Sequence, residues 1–391
     1  MNHKIKEGIY WVGAIDWDLR DFHGYDTPKG TSYNAYLIVD EKVALIDTVR
    51  QGFSHELLSN ISGIVDPSKI DYLIVNHLER DHSGSISDVM SSAPKAKVLC
   101  SERGRKGLVD WYGEPWPITA VRTNSTLSLG KKTLRFIETP MVHWPDSMFT
   151  YAEEDRVLFS SDAFGQHIAS SERFDDEMPY DVTPDARTYY ANIIMPMSML
   201  VEKLLGRAGE LRLDPEIIAP DHGLMWRQPS KILTAYGKWS RFEHGPKVVI
   251  AYDTMWGTTE KMARLIADGA MREGVEVKLY NVKKSPISDI VSDIQDAGCL
   301  VIGSSTLNNG MLRTVGGLMT YLKGLKPKNK IAAGFGSYGW AGGAVKEITE
   351  RLKEIGLDTI EPGLENRFTL TKEDESECTD LGRRLAKRIK A

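Results

Sequence analysis

The chain contains 391 residues, of which 41% are hydrophobic and 26% charged, and this length and composition predict a soluble protein of two or three domains. Its 49 basic and 54 acidic residues leave a net charge of −5, which argues against a nucleic-acid-binding surface. The N-terminal residues lack the apolar core of a signal peptide, and no apolar run is long enough to span a bilayer, so we expect no membrane association.

The three cysteines lie far apart and form no Cys-x-x-Cys pair: Cys100, Cys299 and Cys378. This usage is typical of a reducing compartment, and we predict a cytoplasmic location. It also excludes a rubredoxin-type or iron–sulfur centre built from such a motif in this chain.

Short runs of branched and aromatic residues, separated by turn-forming residues, crowd the first part of the chain. They predict strands at residues 8–12, 34–39, 43–46, 72–75 and 134–137. Helical patterns predict helices at residues 53–62, 102–112 and 183–211, the last kinked or broken at Pro196. Strands faced by helices predict a sheet-based α/β sandwich.

The strand predicted at residues 72–75 leads into a cluster of metal-binding side chains. Four of them fall within six residues: His77, Glu79, Asp81 and His82. In an extended segment alternate side chains share a face, so we expect His77, Glu79 and Asp81 to point the same way. His82 would reach the other side of the same cavity. Such a cluster can hold two ions, but it cannot complete both coordination shells.

Three later residues at the ends of strand-like or turn segments are candidates for the missing ligands: His143, Asp162 and His222. A single histidine after a strand is more often a structural or surface residue, so the prediction depends on the cluster as a whole. The complete set has four imidazoles and three carboxylates. A carboxylate can bridge two cations and offset their repulsion, and Asp162 is the natural candidate for this role.

The order of these residues resembles the metallo-β-lactamase fold family, whose signature is His-x-His-x-Asp-His followed by separated His, Asp and His. Glu79 stands where the second histidine of that signature would be. A carboxylate in place of an imidazole makes a harder, more anionic site that better stabilises oxidised iron. This departure is the mark of the flavodiiron proteins, and it moves the prediction from hydrolysis towards redox chemistry.

A second domain is predicted to begin near Pro246, after a polar hinge-like stretch, which gives domains at residues 1–245 and 246–391. A strand at residues 248–252 is followed by a hydroxyl-rich turn and a helix start, where free backbone N–H groups can bind a phosphate. The later pattern alternates strands at 277–282, 299–303 and 331–335 with helices at 260–273, 315–324 and 343–355. This alternation predicts a doubly wound parallel sheet.

Three loops at the carboxyl ends of these strands resemble the FMN site of flavodoxin. Trp256 replaces the middle threonine of the usual Thr-x-Thr-Gly-x-Thr phosphate loop, while Tyr338 and Trp340 offer aromatic faces to a flat ring. The predicted FMN-binding residues are Thr254, Met255, Trp256, Gly257, Thr258 and Thr259 in the first loop, Ser305, Thr306, Leu307, Asn308 and Asn309 in the second, and Ser337, Tyr338, Gly339, Trp340, Ala341 and Gly342 in the third.

The two halves together resemble the A-type flavodiiron proteins over essentially the whole chain. The resemblance implies that His77, Glu79 and His143 hold one iron, that Asp81, His82 and His222 hold the other, and that Asp162 bridges them. It also implies reduction of O2 to water or of nitric oxide to nitrous oxide in an anaerobe, and a head-to-tail homodimer or a dimer of dimers. The electron donor would be rubredoxin, another external protein or a reduced deazaflavin.

Four further residues are candidates for lining the gas pocket and donating protons: His23, Tyr25, His167 and Tyr190. They could equally be ordinary packed residues. Two rival functions are also open. One is a dinuclear zinc hydrolase with a flavodoxin-like domain, and the other is an FMN electron-carrier or sensor module. The sequence does not choose between O2 and nitric oxide.

Overall fold

The computed structural model describes residues 3–113 and 115–391. Its contacts divide the chain into two compact units. The first contains the residues up to Tyr189 together with Met199–Gly237, and the second contains Tyr190–Ser198 together with Lys238–Ala391. The domain boundary between residues 245 and 246 stays a prediction.

Strands dominate the first part of the chain, as the sequence predicts. They are β1 (His3–Lys6), β2 (Ile9–Trp11), β3 (Ala14–Asp16), β4 (Asp21–Phe22), β5 (Tyr25–Asp26), β6 (Thr31–Tyr33), β7 (Tyr36–Val39), β8 (Val43–Ile46), β9 (Ile70–Val75), β10 (Lys97–Ser101), β11 (Ile118–Val121), β12 (Thr126–Ser128), β13 (Thr133–Glu138), β14 (Met148–Ala152), β15 (Val157–Phe159) and β16 (Ile217–Ala219). The α-helices among them are α1 (Ser54–Ser62), α2 (Arg80–Ser83), α3 (Ile86–Ser92), α4 (Glu102–Tyr112), α5 (Thr183–Tyr189), α6 (Ser198–Gly206) and α7 (Pro229–Ser240).

Two large sheets face each other in the first unit. One has the order β1-β2-β7-β8-β9-β10-β11 and the other the order β12-β13-β14-β15-β16. In β8, Val43 and Leu45 pack on the side of α1, α3 and α4, while Ala44 and Ile46 pack between the sheets. Because both faces are buried, the strand is apolar throughout instead of alternating with polar residues. The predicted α/β sandwich is confirmed.

The predicted helical region at residues 183–211 is broken, as expected from Pro196. Helix α5 passes into a π-helix at Tyr190–Ile194 and a 3-10 turn at Met195–Met197 before α6 begins. The proline lies in the 3-10 turn, where its missing N–H costs less than it would inside an α-helix. Helix α6 ends at Gly206, five residues earlier than predicted.

The second unit contains a parallel sheet of order β18-β17-β19-β21-β22, with β20 paired to β19. Its strands are β17 (Gly245–Asp253), β18 (Glu276–Asn281), β19 (Ala297–Leu307), β20 (Gly310–Met311), β21 (Ile331–Tyr338) and β22 (Asp358–Arg367). Its main helices are α8 (Thr258–Met271), α9 (Ile287–Gln295), α10 (Arg313–Leu325), α11 (Ala344–Ile355) and α12 (Lys372–Lys390). The predicted doubly wound sheet is confirmed.

Four elements of the second unit were not predicted from the sequence: α9, β20, β22 and α12. Helix α12 begins at a capping box between Thr371 and Asp374, and it has acidic residues in its first turn and basic residues in its last. The capping box satisfies backbone N–H groups of the first turn, and the charges at both ends interact favourably with the helix dipole. Within the described part of the chain, no helix combines the length and the apolar character needed to cross a bilayer.

Candidate functional site

All seven predicted metal ligands lie in segments that follow a strand. His77 and Glu79 come after β9, and Asp81 and His82 lie in the short helix α2. His143 follows β13, Asp162 follows β15, and His222 follows β16. Because these strand ends lie at one edge of the sandwich, seven residues spread over 146 positions converge on one place.

The first ligand group contains His77, Glu79 and His143. Oε2 of Glu79 lies 3.3 Å from Nε2 of His77 and 3.3 Å from Nε2 of His143. Oδ2 of Asp162 lies 3.3 Å and 3.1 Å from the same two nitrogens. The four side chains therefore direct one atom each at a common point.

The second ligand group contains Asp81, His82 and His222. Oδ2 of Asp81 lies 3.3 Å from Nε2 of His82 and 3.1 Å from Nε2 of His222. The other carboxylate oxygen of Asp162, Oδ1, lies 3.2 Å and 3.5 Å from these nitrogens. Asp162 thus presents one oxygen to each group, which is the geometry of a carboxylate that bridges two ions.

The residues fit a dinuclear metal centre by a test on the structure itself. Both carboxylate oxygens of Asp81 and both ring nitrogens of His82 are buried and have no hydrogen-bond partner among the described residues. Buried polar atoms without partners are rare in folded proteins unless an ion or water satisfies them. Neighbouring ligand atoms on a metal with bonds of about 2.1 Å lie about 3 Å apart, which matches the separations within both groups.

The electrostatics of the cluster also favour bound cations. Burial alone would raise the pKa of Asp162, but the imidazoles of His82, His143 and His77 outweigh burial and hold this pKa well below its usual range. Burial would lower the pKa of His77, but the carboxylates of Asp146, Glu79 and Asp162 raise it well above its usual range. The carboxylates therefore favour positive charge at the positions that the ring nitrogens face, which is the charge that a bound cation would supply.

One sequence expectation about this cluster is wrong. We expected His77, Glu79 and Asp81 to point the same way from an extended segment, but the chain turns into α2 at Arg80. The turn redirects Asp81, which joins His82 and His222 instead of His77 and Glu79. The resulting division into two groups is the one implied by the flavodiiron resemblance.

Two ligand imidazoles are oriented by groups behind them. Nδ1 of His77 lies 3.2 Å from Oδ2 of Asp146, which also accepts a 2.8 Å hydrogen bond from the N–H of Leu78. Nδ1 of His222 donates to the carbonyl oxygen of Ser32 at 2.7 Å. Such partners fix the ring orientation and leave Nε2 free for a metal. Neither role was predicted from the sequence, although Asp146 stands only three residues after His143.

The buried carboxylate of Asp47, directly after β8, holds the backbone that leads into the first ligand. Its Oδ1 accepts a 2.7 Å hydrogen bond from the N–H of Asn76, the residue before His77.

Three of the four candidate gas-pocket residues lie beside the ligands. Nε2 of His23 is 2.7 Å from Oε1 of Glu79, and a cavity of about 270 Å³ that reaches Glu79 and Asp81 is lined by Phe22 and His23. The hydroxyl of Tyr25 forms a short hydrogen bond with Nε2 of His167, whose ring lies 4.7 Å from that of His222.

The prediction for Tyr190 is wrong. Its hydroxyl lies 2.8 Å from Oγ of Ser198, and its ring packs against Trp239. The preceding residue, Tyr189, takes the predicted place and donates a 2.7 Å hydrogen bond to Oδ1 of Asp162. The difference arises because adjacent helical residues point about 100° apart, so only one of the two can face the cluster.

In the second unit, a cavity of about 680 Å³ lies at the carboxyl ends of β19 and β21. This volume is in the range of sites that bind small molecules and cofactors. Thirteen of the seventeen predicted FMN-binding residues line it: Met255, Trp256, Thr258, Ser305, Thr306, Leu307, Asn308, Asn309, Ser337, Tyr338, Gly339, Trp340 and Ala341.

The other four predicted residues support the cavity from behind or beside it. Oγ1 of Thr254 accepts a 3.1 Å hydrogen bond from Gly257, whose φ of +91° lets the chain turn into α8. The buried hydroxyl of Thr259 lies 2.9 Å from that of Ser305 and 2.8 Å from that of Ser337. At Gly342, a Cβ would come within 2.5 Å of the Glu365 carboxylate, so a side chain there would require Glu365 to move.

This arrangement fits FMN. The first backbone N–H groups of α8 have no partner inside the helix and are available to a phosphate, and hydroxyl groups stand beside them. Phe368 and Thr369, which were not predicted from the sequence, also line the cavity directly after β22. Recognition of β22 as another parallel strand would have identified them, because ligands bind beyond such strand ends.

Two family models match the chain. The model described as ODP family beta lactamase matches residues 31–223, and the flavodoxin model matches residues 250–382. A protein from Moorella thermoacetica named nitric oxide reductase is 48% identical over 98% of both chains. These matches cover both of the sites described above.

Solved structures agree with this division. Rubredoxin oxygen:oxidoreductase from the anaerobe Desulfovibrio gigas superposes with a TM-score of 0.97 at 41% identity, covering 100% of this chain and 99% of that one. The flavodiiron protein from Giardia intestinalis superposes with a TM-score of 0.96 at 36% identity, covering 100% and 97%. Relatives this similar over nearly their whole length share descent, and the chain belongs to the flavodiiron protein family.

Proposed function

We propose that this protein reduces O2 to water, nitric oxide to nitrous oxide, or both, at a centre of two iron ions that receives electrons from FMN. The observation that carries the proposal is the position of Asp162, whose two carboxylate oxygens face separate ligand groups. Glu79 in place of an imidazole favours iron over zinc at the first group. The related proteins named above, a nitric oxide reductase and a rubredoxin oxygen:oxidoreductase, act on these two gases.

When bound, two ferrous ions and a reduced flavin supply four electrons, the number that converts O2 to two molecules of water. We assign His77, Glu79 and His143 to one ion, Asp81, His82 and His222 to the other, and Asp162 to both. The seven side chains bring three negative charges to the site, which offset most of the charge of two divalent ions.

The protons for either reaction come from groups that surround the ligands. His23 contacts Glu79 at the cavity, while Tyr189 keeps its proton and donates a hydrogen bond to Asp162. Tyr25, His167 and Thr31 form a hydrogen-bonded chain, in which Oγ1 of Thr31 lies 2.8 Å from Nδ1 of His167. Such a chain can pass a proton from one ring nitrogen to the other and so deliver it to the buried site.

The rival functions have less support. Zinc hydrolases of this fold prefer a histidine at the position that Glu79 occupies in this chain, so Glu79 argues against this function. An electron-carrier module does not require a metal site, yet all seven ligands converge on two points. Iron in the purified protein would exclude the hydrolase.

We further propose a head-to-tail homodimer, or a dimer of two such dimers, in which the flavin of one subunit lies beside the metal centre of its partner. Trp256 and Trp340 at the rim of the flavin cavity are 90% and 92% exposed. Exposed tryptophans are typical of surfaces that bind another protein, since aromatic residues are enriched at protein–protein interfaces. Light scattering after gel filtration tests this, and an active monomer would contradict it.

We propose rubredoxin as the electron donor, in line with the name of the Desulfovibrio gigas relative, with a reduced deazaflavin as the alternative. All three cysteines are buried and unpaired, which supports a reducing, cytoplasmic location.

The deciding experiment is an anaerobic single turnover of the fully reduced protein, after iron and FMN have been quantified. One portion is mixed with O2 and another with nitric oxide, while flavin oxidation is followed and products are analysed. Fast oxidation that yields water or nitrous oxide supports the proposal, and the ratio of the two rates ranks the gases. Slow oxidation that yields peroxide, from a protein without iron, refutes it.

A further inference from the structure

The backbone that carries Asp81 and His82 is a helix of only four residues, α2. A helix this short is not stable by itself, because a single turn fixes many torsion angles for few hydrogen bonds. Both ligand side chains are nevertheless buried and aimed at the second ligand point. Groups outside the turn must therefore hold it in place, since small shifts of a ligand weaken a metal site.

A single oxygen atom, that of the Tyr112 hydroxyl, forms hydrogen bonds with both ends of α2. The hydroxyl of Tyr112, at the end of α4, donates a 2.7 Å hydrogen bond to the carbonyl oxygen of Ser83. The same hydroxyl accepts a 2.6 Å hydrogen bond from Nη1 of Arg80. Arg80 and Ser83 are the first and last residues of α2, so Tyr112 spans the two ligands that lie between them.

Arg80 is itself held by uncharged partners. Its guanidinium carbon lies 4.8 Å from the centre of the Trp111 ring and 5.3 Å from that of Tyr112, and its Nη2 reaches Oε1 of Gln51 at 3.5 Å. Stacking and hydrogen bonds fix the direction of a guanidinium group. The contact between Arg80 and Tyr112 therefore has one defined geometry.

The other side of α2 is held through its backbone. The N–H and the hydroxyl of Thr48 both donate to the carbonyl oxygen of His82, at 2.9 Å and 2.6 Å. Gly84 lies so close to Gln51 that a Cβ there would come within 2.4 Å of the Gln51 nitrogen. Tyr112 adds a contact from the side of α4 to these backbone contacts and to the 2.6 Å hydrogen bond from Oγ of Ser83 to the carbonyl oxygen of Leu78.

We propose that Tyr112 is a positioning residue for the metal ion held by Asp81, His82 and His222. It fixes α2 so that both ligands of that helix face the ion. The first ligand group depends on it less, because His77 is oriented by Asp146 and His143 belongs to another loop. This inference rests on the proposed function, since it requires an ion at the second group.

The test measures how fast the purified holoprotein releases iron to a ferrous chelator under anaerobic conditions. In Tyr112→Phe, we expect one of the two ions to leave about 10-fold faster than in the wild type, in line with the loss of other groups that orient ligands. The other ion should leave at the wild-type rate, and one of two Mössbauer doublets should change. Tyr10→Phe is the matched control, because Tyr10 and Tyr112 both pack at the edge of one apolar cluster.

Equal acceleration for both ions, or no acceleration, overturns the proposal. Arg80→Gln gives a second test that does not depend on whether Tyr112→Phe folds. It removes one of the two hydrogen bonds of the same hydroxyl, so it should accelerate the same ion by a smaller factor, and release at the wild-type rate would overturn the proposal. The number of iron ions bound per chain is measured before release begins. A wild type that binds fewer than two ions would contradict the proposed function and would not bear on the role of Tyr112.

Discussion

The hydroxyl of Tyr189 donates a 2.7 Å hydrogen bond to Oδ1 of Asp162, the carboxylate that faces both ligand groups. Oδ1 is the oxygen beside His82 and His222, so Tyr189 contacts the bridging group on the side of the second ion. Burial, together with the Asp162 charge, raises the pKa of Tyr189 well above its usual value and keeps the phenol protonated. A protonated donor at this oxygen holds Asp162 in its bridging orientation.

Tyr189→Phe should therefore lower the rate of gas reduction by about 10-fold or more, because the bridging carboxylate loses an orienting partner. Stopped-flow oxidation of the reduced enzyme by O2 and by nitric oxide measures the effect. The adjacent Tyr190→Phe is the control, since the Tyr190 hydroxyl contacts Ser198 instead of the ligands. Equal rates in the two variants would show that the Tyr189 hydroxyl has no role.

Glu79→His should move the metal preference from iron towards zinc, because it replaces a hard anionic donor by an imidazole. The zinc-to-iron ratio, measured by elemental analysis after growth in equal concentrations of both metals, should rise, and gas reduction should fall with the iron content. Glu56→His, a substitution in α1, is the control for an added histidine outside the ligand set. An unchanged metal ratio would remove Glu79 as the source of iron preference.

Thr259→Val should weaken FMN binding by about 10-fold, roughly the effect of one hydrogen bond within a phosphate site. The Thr259 hydroxyl lies between those of Ser305 and Ser337, and Ser305 accepts a 3.2 Å hydrogen bond from the N–H of Met255 in the phosphate loop. Quenching of FMN fluorescence by the apoprotein gives the affinity.

The matched control is Thr349→Val in α11, where the hydroxyl donates to the carbonyl oxygen of Val345 at 2.8 Å. This variant should bind FMN as the wild type does. If both variants lose affinity equally, the hydroxyl cluster is not specific to the phosphate loop.

Lys330 makes the stability of the second unit depend on pH. Its ammonium is buried and donates to the carbonyl oxygens of Gln295 and Ala297 at 3.2 Å and 2.7 Å. Burial lowers the pKa of Lys330 to about 7. The charge of Asp296 partly opposes this shift, and the charge of Lys247 adds to it. At pH values between this pKa and the ordinary pKa of lysine, Lys330 is protonated in the unfolded chain and neutral in the folded chain.

Stability therefore rises with pH in this window, by at most about 1.4 kcal/mol per pH unit. Lys330→Met removes this contribution. When the pH rises from 7 to 9, the free energy of unfolding of the wild type should therefore increase by about 2 kcal/mol relative to that of the variant. Urea unfolding followed by circular dichroism measures it. Lys346→Met, at an 82% exposed side chain, should leave the pH dependence unchanged. Parallel curves for Lys330→Met and the wild type would contradict the lowered pKa.

Much of the second unit was predictable from local patterns. The alternation of strands and helices from residue 248 to 355 gave the parallel sheet, because each buried parallel strand is a short apolar run. The same logic failed at β22, where Glu361, Pro362 and Gly363 interrupt the apolar pattern. This strand lies at the edge of the sheet, where proline and polar residues are tolerated. Phe368 and Thr369 were missed with it.

The sequence by itself determined which side chains can bind metal, because the ligand type depends on residue chemistry and four candidates lie within six positions. The flavodiiron resemblance implied how they divide between two ions, and the tertiary structure supplied the physical reason, which is that the chain turns into α2 at Arg80. The tertiary structure alone decided between Tyr189 and Tyr190, because the choice is one of helical phase, and it revealed Tyr112, whose contact with α2 is made across 29 positions. The residue types in the sequence fix which chemical groups are available, whereas the direction of each side chain is set by the packing of distant segments around it.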